Sequence, residues 1–386
     1  MDWIEVNRFK TYRKLRWGRS DYLWRPENPY LDQYRIRVRD ESPLPADILA
    51  IPCPHLPGKE HTEYRDDQAR IHMGHRGDFD YRDMPVVCDS SMDYAFLDPV
   101  LRELLAYPQV RAFMTGVTFR DMEAQRRRSW GGEYHGEIYR RRDLYDTGPD
   151  PRADRSPLSP EIQTKLQPLN RPTTRPFSDD VFEYIQQRIK PLKERPIDLF
   201  FSGRTRYPGM HNFPTMQRTR LEELWPRLPG DNVWHSYHNY EGTRKHGKPI
   251  KSYSYPWEYV DMLLQAKVVV SPWGWSAWCI RDFEALACGC VVIKPECSNI
   301  KVYPDIYDPS QNFVVWCDIL FEHLDGQLAY IYGHLDELQD RVDRGRKFVT
   351  GICYPNDKVY AHWTADVRRI LEQSLNMPSY GSMHPV

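Results

Sequence analysis

The sequence predicts an α/β chain of two domains, each a mainly parallel sheet covered by helices. Three observations carry this. At 386 residues the chain exceeds one ordinary core, and two domains of roughly 150–200 residues are expected. Short β-branched runs alternate with helical patterns in both halves. A proline-rich stretch without periodicity, 148–178, separates them and reads as a linker or a long ordered loop.

In the first half, Tyr34–Arg39 alternates apolar with basic residues and predicts an edge strand. Asp47–Ile51, Pro85–Cys88 and Val110–Thr115 are further strand candidates, and helical patterns lie near 93–106 and 119–128. Ser178–Lys193 predicts a helix with Val181, Ile185 and Ile189 on one face, ended by Pro196. Ile197–Ser202 then opens the second domain as a buried strand, followed by Gly203 and Arg204. A helix over Thr215–Leu228, a strand over Val233–Tyr237 and a helix over Pro256–Gln265 come next, with Tyr259, Met262 and Leu263 facing in. After Pro295 the chain reads as irregular to Pro309, then a strand over Phe313–Trp316 and helices over Leu320–Phe348 and Asp357–Leu375. The expected division is 1–180 for the first domain with its linker, 181–355 for the second, and 356–386 for a helix returning to the first domain, with a tail.

The segment 271–295, SPWGWSAWCIRDFEALACGCVVIKP, organises the second half. Val268–Val270 predicts a buried strand leading into a loop that contains Pro272 and Gly274. A helix follows over 277–288, with Cys279, Ile280, Phe283, Leu286 and Ala287 on one apolar face. Gly289 stands where a helix-ending glycine is expected, and Val291–Ile293 is the next strand. A loop at the carboxyl end of such a strand, opening a helix, is suited to hold phosphate. Arg281 and Glu284, three residues apart, share a face of that helix distinct from the apolar one.

The run Glu284-Ala285-Leu286-Ala287-Cys288-Gly289 resembles the donor-binding segment of GT-B glycosyltransferases of the group 1 and exostosin-like kind. The resemblance is specific over about 271–295 and looser over about 197–350. It implies two Rossmann-like domains facing across a cleft. It implies a nucleoside-diphosphate sugar, UDP-sugar foremost, as co-substrate rather than a resident cofactor. In that family the Glu accepts hydrogen bonds from ribose hydroxyls, a role carried here to Glu284. Trp273, Gly274, Trp275 and Ser276 correspond to the donor loop. Gly203 resembles the glycine that lets backbone approach the diphosphate, and Arg204 and Arg281 are the matching cations. Ser276 stands where many retaining members carry a second Glu.

An inverting transferase of this kind needs a base on the first domain to deprotonate the acceptor hydroxyl. Asp89 follows a strand, and His75 and Asp78 lie in the loop-like stretch IHMGHRGDFD with His72. The Asp78-Phe79-Asp80 spacing resembles a metal-binding pair of another transferase fold, which the rest of the chain does not match, and no metal ligand is expected. His72 and His75 lack partners for a zinc site.

The acceptor implied is a glycan or small hydroxylated molecule, or a hydroxymethylated base in DNA. For DNA, the basic-aromatic stretch 8–19, Arg126–Arg128 and Arg140–Arg142 supply cations. The balance of 53 basic against 54 acidic residues argues against a generic polyanion binder. A non-catalytic sugar-nucleotide or glycan binder and a nucleotide-sugar epimerase are the readings from other classes. The eight cysteines form no CxxC pair, and Cys288 and Cys290 read as buried free thiols. The start, Met-Asp-Trp-Ile-Glu, carries no apolar signal core, and no run approaches a transmembrane span, so a soluble cytoplasmic protein is expected.

Overall fold

The structure, a computed structural model, describes residues 3–8, 30–40, 47–52, 85–90, 110–115, 118–119, 159–168, 177–204, 213–239, 242–245, 248–250, 257–273, 278–298, 300–302, 304–355 and 357–376. These fall into two compact units. One gathers the described residues of Met1–Leu144, Gly148–Pro172 and Val359–Val386, the other those of Thr173–Lys358.

The first unit is built on β1 (Ile4–Arg8), β2 (Ile36–Asp40), β3 (Ile48–Pro52), β4 (Val86–Ser90), β5 (Val110–Thr115) and β6 (Leu166–Pro168). Every pairing is parallel, in the order β2-β1-β3-β4-β5-β6. The strand expected at an edge, β2, is at the edge. The linker expectation is corrected in part: α1 (Pro160–Lys165) and β6 lie within it. Pro160 opens α1, where a proline costs no hydrogen bond because that N–H has no helical partner. The helical patterns near 93–106 and 120–128 lie outside the described residues, and Thr118–Phe119 is extended.

The second unit starts with α2 (Asp179–Arg188) and continues through β7 (Ile197–Arg204), α3 (Phe213–Leu224), β8 (Val233–Asn239), β9 (Gly242–Lys245) and β10 (Lys248–Ile250). Then come α4 (Trp257–Gln265), β11 (Ala266–Val270), α5 (Ile280–Ala287), β12 (Val291–Pro295), β13 (Val314–Cys317), α6 (Leu324–Gly333) and α7 (Leu335–Cys353). The sheet order is β10-β9-β8-β7-β11-β12-β13. From β8 to β13 all pairs are parallel, and β9 and β10 are antiparallel additions. Leu199, Phe201, Val268, Val270, Val291 and Ile293 pack on one side with Leu221 of α3, Leu324 of α6 and Leu338 of α7. Phe200, Val269 and Val292, on the other side, are equally buried. This two-sided burial is why the strands read as unbroken apolar runs. The α/β class expected from the sequence, with two Rossmann-like sheets, is the one observed.

Three helix boundaries differ from expectation. The helix α2 stops at Arg188, because Pro191 disfavours helical geometry at Lys190. Pro226 converts the end of the expected 215–228 helix into a 3₁₀ turn, Trp225–Arg227. The stretch expected as one helix over 320–348 is two, α6 and α7, broken at His334. The last helix, α8 (Asp357–Ser374), places Tyr360, Trp363, Val367, Ile370 and Leu371 in one cluster with Ile4, Val6, Ile36, Ile48 and Met114 of the first sheet. Its buried Arg368 donates to the backbone oxygen of Arg35 at 3.0 Å.

A second buried arginine ties the second unit together. Arg195 donates to the backbone oxygens of Lys190, Ala266 and Cys288 at 2.9, 2.9 and 3.0 Å. It joins the chain entering β7 to the start of β11 and the end of α5. Beside it, Gly289 has φ +69°, and an added Cβ there meets Ile189 at 2.9 Å and Arg195 at 3.0 Å. The expected helix-ending glycine is required for both reasons. Cys288 and Cys290 are buried and free, as expected, and burial pushes both thiols above their ordinary range.

Candidate functional site

In sequence order, the parallel strands of the second unit run second, first, third, fourth, fifth across the sheet. The chain therefore changes direction across the sheet between β7 and β11. Helices leaving these strands diverge to opposite faces, which opens a crevice at the carboxyl ends. Ligands of doubly wound sheets bind there.

The carboxyl end of β7 is Ser202-Gly203-Arg204, and that of β11 leads to Ser271, Pro272 and Trp273. Two guanidinium groups converge on Gly203. An added Cβ at Gly203 lies 2.8 Å from Arg281 Nη2 and 2.9 Å from Arg218 Nη1. Arg281, only 9% exposed, donates to the Ser202 backbone oxygen and stands over the Phe201 ring at 5.1 Å. Arg218, 2% exposed, donates to the Trp273 backbone oxygen at 2.9 Å. Only a residue without a side chain allows both cations to approach this strand end.

Trp273 is clamped on three sides. Its N–H donates to Gln217 Oε1 at 2.9 Å, its indole N–H donates to the Pro295 oxygen at 3.2 Å, and its oxygen accepts from Arg218. At the far side of the loop, the Cys279 N–H donates to Asp282 Oδ2 at 3.2 Å, capping α5. Both ends of the 274–277 segment are thus anchored.

The anchor beneath α5 is a fully buried ion pair, Asp282 with Lys294 Nζ at 2.8 Å, both 0% exposed. The Tyr307 hydroxyl donates to the same carboxylate oxygen. Burial lowers the Lys294 pKa, but the Asp282 charge and the Cys297 and Cys279 thiols outweigh it, and the net shift is upward. Burial and the Asp282 charge also push the Tyr307 phenol well above its ordinary range. Lys294 is a cation and Tyr307 a neutral donor across the working pH range.

One turn along α5 from Arg281, about 4.5 Å of helix rise, lies the partly exposed Glu284. Its Oε2 accepts from the Tyr259 hydroxyl of α4 at 2.8 Å. A guanidinium pair at the strand ends, a helix N-terminus beside it and an anchored carboxylate one turn away define the candidate site. Such a set suits an anion joined to a hydroxyl-bearing body.

The structure thus brings Gly203, Trp273, Arg281 and Glu284 together. The expected separation of Arg281 from the buried face is corrected: α5 is wrapped on nearly all sides, and Arg281 is buried at the strand end. Arg204 ends β7, opposite His238 of β8, its side chain outside the described atoms. Gly274, Trp275 and Ser276, and in the first unit His75 and Asp78, lie outside the described residues. Asp89 holds the penultimate position of β4, between Pro52 of β3 and Met114 of β5. It therefore stands at the carboxyl end of the first sheet. Among the described residues, no group of three His, Cys, Asp or Glu side chains is placed to hold a metal ion, and no helix is long and apolar enough to cross a membrane.

Sequence reasoning missed Arg218, Gln217 and the Asp282–Lys294 pair. A signal for Arg218 was present: it shares the inward stripe of α3 with Leu221 and Trp225, where an apolar residue belongs.

No family model and no curated protein sequence matches the chain. Among solved structures, it is similar to the N-terminal domain of a trehalose-6-phosphate phosphatase from Candida albicans, at 10% identity and TM-score 0.44, covering 97% of each chain. It is similar to an α,α-trehalose-phosphate synthase (UDP-forming) from Burkholderia vietnamiensis, at 12% identity and TM-score 0.43, covering 83% of this chain and 74% of that one. It is also similar to WaaG, a glycosyltransferase involved in lipopolysaccharide biosynthesis, at 13% identity and TM-score 0.36, covering 97% and 98%. Glycosyltransferases are thus among its structural neighbours. At such identities and TM-scores the likenesses bear on neither substrate nor reaction.

Proposed function

We propose that the chain is a glycosyltransferase of GT-B type that binds a nucleoside-diphosphate sugar, UDP-sugar foremost, on its second unit. The observation that carries this reading is the convergence of Arg218 and Arg281 on Gly203 at the switch point, with Glu284 one turn along α5. The guanidiniums and the N-terminus of α5 offset the diphosphate charge in the ground state and as it departs. They do so without calling on a metal ion. Glu284 receives the ribose hydroxyls. The acceptor is a hydroxyl of a glycan or small molecule, and its proton passes to a side chain of the first unit, with Asp89, His75 and Asp78 as candidates. The reaction is expected in a soluble, cytoplasmic setting.

The second acceptor reading, a hydroxymethylated base in DNA, is favoured only by the basic stretches at 8–19, 126–128 and 140–142. A salt-sensitive gel shift with duplex DNA separates it from the first.

The test is a thermal-shift panel of nucleoside diphosphates and their sugars. A ligand that binds only the folded state stabilises it by about 2.7 kcal/mol at a hundredfold excess over Kd. The expected result is a raised melting temperature with at least one nucleotide, unchanged by EDTA, and release of that nucleotide from its sugar when an acceptor is supplied. A flat panel contradicts the proposal. Binding without turnover of any donor, including slow hydrolysis, leaves a sugar-nucleotide binder in its place. Conversion of the donor's own sugar, with no acceptor present, makes it an epimerase.

A further inference from the structure

We infer that Tyr259 sets the site's preference for ribonucleoside over deoxyribonucleoside diphosphate-sugars, by fixing the Glu284 carboxylate in an acceptor-only pose. The inference rests on the proposed nucleotide site and extends it to a residue outside the Glu284 motif.

An ionised carboxylate has about four lone-pair positions and no proton to donate. The Tyr259 hydroxyl fills one of them, on Oε2. The remaining positions, including all of those on Oε1, can receive hydroxyl protons and nothing else. Tyr259 is itself held. Its ring packs against Phe200 of β7, centroid to centroid 6.1 Å. Its helix is pinned at the next turn by Asp261, which accepts from Tyr184 of α2 at 2.6 Å. Trp257, at the start of α4, meets the Tyr184 ring edge-on at 4.8 Å. The contact therefore runs from the sheet floor and α2 through α4 to a carboxylate on α5. Without it, a glutamate on a partly exposed helix face samples several rotamers, and a ligand must select one of them.

A vicinal ribose diol offers two protons to a carboxylate, and a 2′-deoxyribose offers one. A hydrogen bond to a charged group contributes about 1.5–3 kcal/mol, which sets the expected discrimination at roughly 10- to 100-fold. Removing the positioning hydroxyl relaxes the pose but leaves the acceptor, so part of that discrimination goes. Phe at 259 keeps the ring that packs on Phe200, and the variant is expected to fold.

The experiment is isothermal titration of the full-length protein with the nucleoside diphosphate that binds best and with its 2′-deoxy analogue. Wild type, Tyr259→Phe, Glu284→Gln and the double variant are compared, with melting curves run alongside. The expected result is a ribo-to-deoxy preference in wild type that falls about three- to tenfold in Tyr259→Phe. In Glu284→Gln it is lost, and adding Tyr259→Phe there changes nothing further. Equal weakening of both ligands in Tyr259→Phe assigns Tyr259 a structural role and overturns the inference. A preference that depends on Glu284 but not on Tyr259 overturns this inference and leaves the nucleotide site standing. A preference indifferent to Glu284, or a protein that binds no nucleoside diphosphate, overturns both.

Discussion

Lys294→Met tests whether the loop at the candidate site is anchored by the buried pair beneath α5. Asp282 and Lys294 are both 0% exposed and 2.8 Å apart. At an effective dielectric of about 20 the gross attraction is about 6 kcal/mol. Desolvation of both ions cancels most of it, so the pair contributes little against an apolar substitute. Breaking it is another matter. Methionine matches the lysine stem but leaves the Asp282 carboxylate buried with only the Tyr307 hydroxyl and the Cys279 N–H. The expected cost is about 3–5 kcal/mol. On a domain of this size that is roughly a 6–20 °C fall in melting temperature.

The deficit must depend on pH. In the variant the folded-state pKa of Asp282 rises above its unfolded value near 3.9. Between those two values the folded state binds more protons, so stability falls as pH rises and then stays flat above the folded pKa. Urea titrations at pH 5 and pH 8 should therefore show the larger deficit at pH 8. The double variant Asp282→Asn, Lys294→Met should recover much of the loss. A single variant as stable as wild type at pH 8, or a deficit that grows on acidification, refutes this reasoning.

Glu284→Ala should weaken nucleotide-sugar binding by about 1–3 kcal/mol while the melting temperature holds, and unchanged affinity in a titration makes Glu284 a surface residue. Gly289→Ala should cost about 1–3 kcal/mol of stability, because φ there is +69° and the new Cβ meets Ile189 at 2.9 Å; urea midpoints measure it, and a neutral result means the turn rearranges. If the enzyme inverts, one of Asp89→Asn, His75→Gln and Asp78→Asn should lower turnover about 10²–10⁴-fold with donor affinity intact. No selective loss places the base elsewhere, and retention of the donor's anomeric configuration removes the need for one.

Much of the second unit was legible because its strands are buried on both faces. Runs such as Val268–Val270 and Val291–Ile293 admit few other readings, and Gly289 marks its own helix end. The pairing of Glu284 with Tyr259 was not legible, although Tyr259 was expected to face inward. A hydroxyl's partner depends on which helices the sheet brings together. The Asp282–Lys294 pair was hidden for the same reason: Lys294 reads as the polar end of a strand until Asp282 is seen beneath it. The β9–β10 hairpin was missed because Gly242–Ile250 is short and basic, with little apolar alternation. The α6–α7 break at His334 was missed because Gly333 sits within an otherwise helical pattern.

The central claim is that a nucleoside diphosphate seats where β7 and α5 meet, and hydrogen exchange of the full-length protein with and without the nucleotide tests it most directly. The account predicts slowed exchange at Gly203–Arg204, Trp273 and Cys279–Glu284 on nucleotide addition, with α6 and α7 unchanged. Binding that protects α6 and α7, or the β9–β10 edge, while leaving those amides untouched contradicts it.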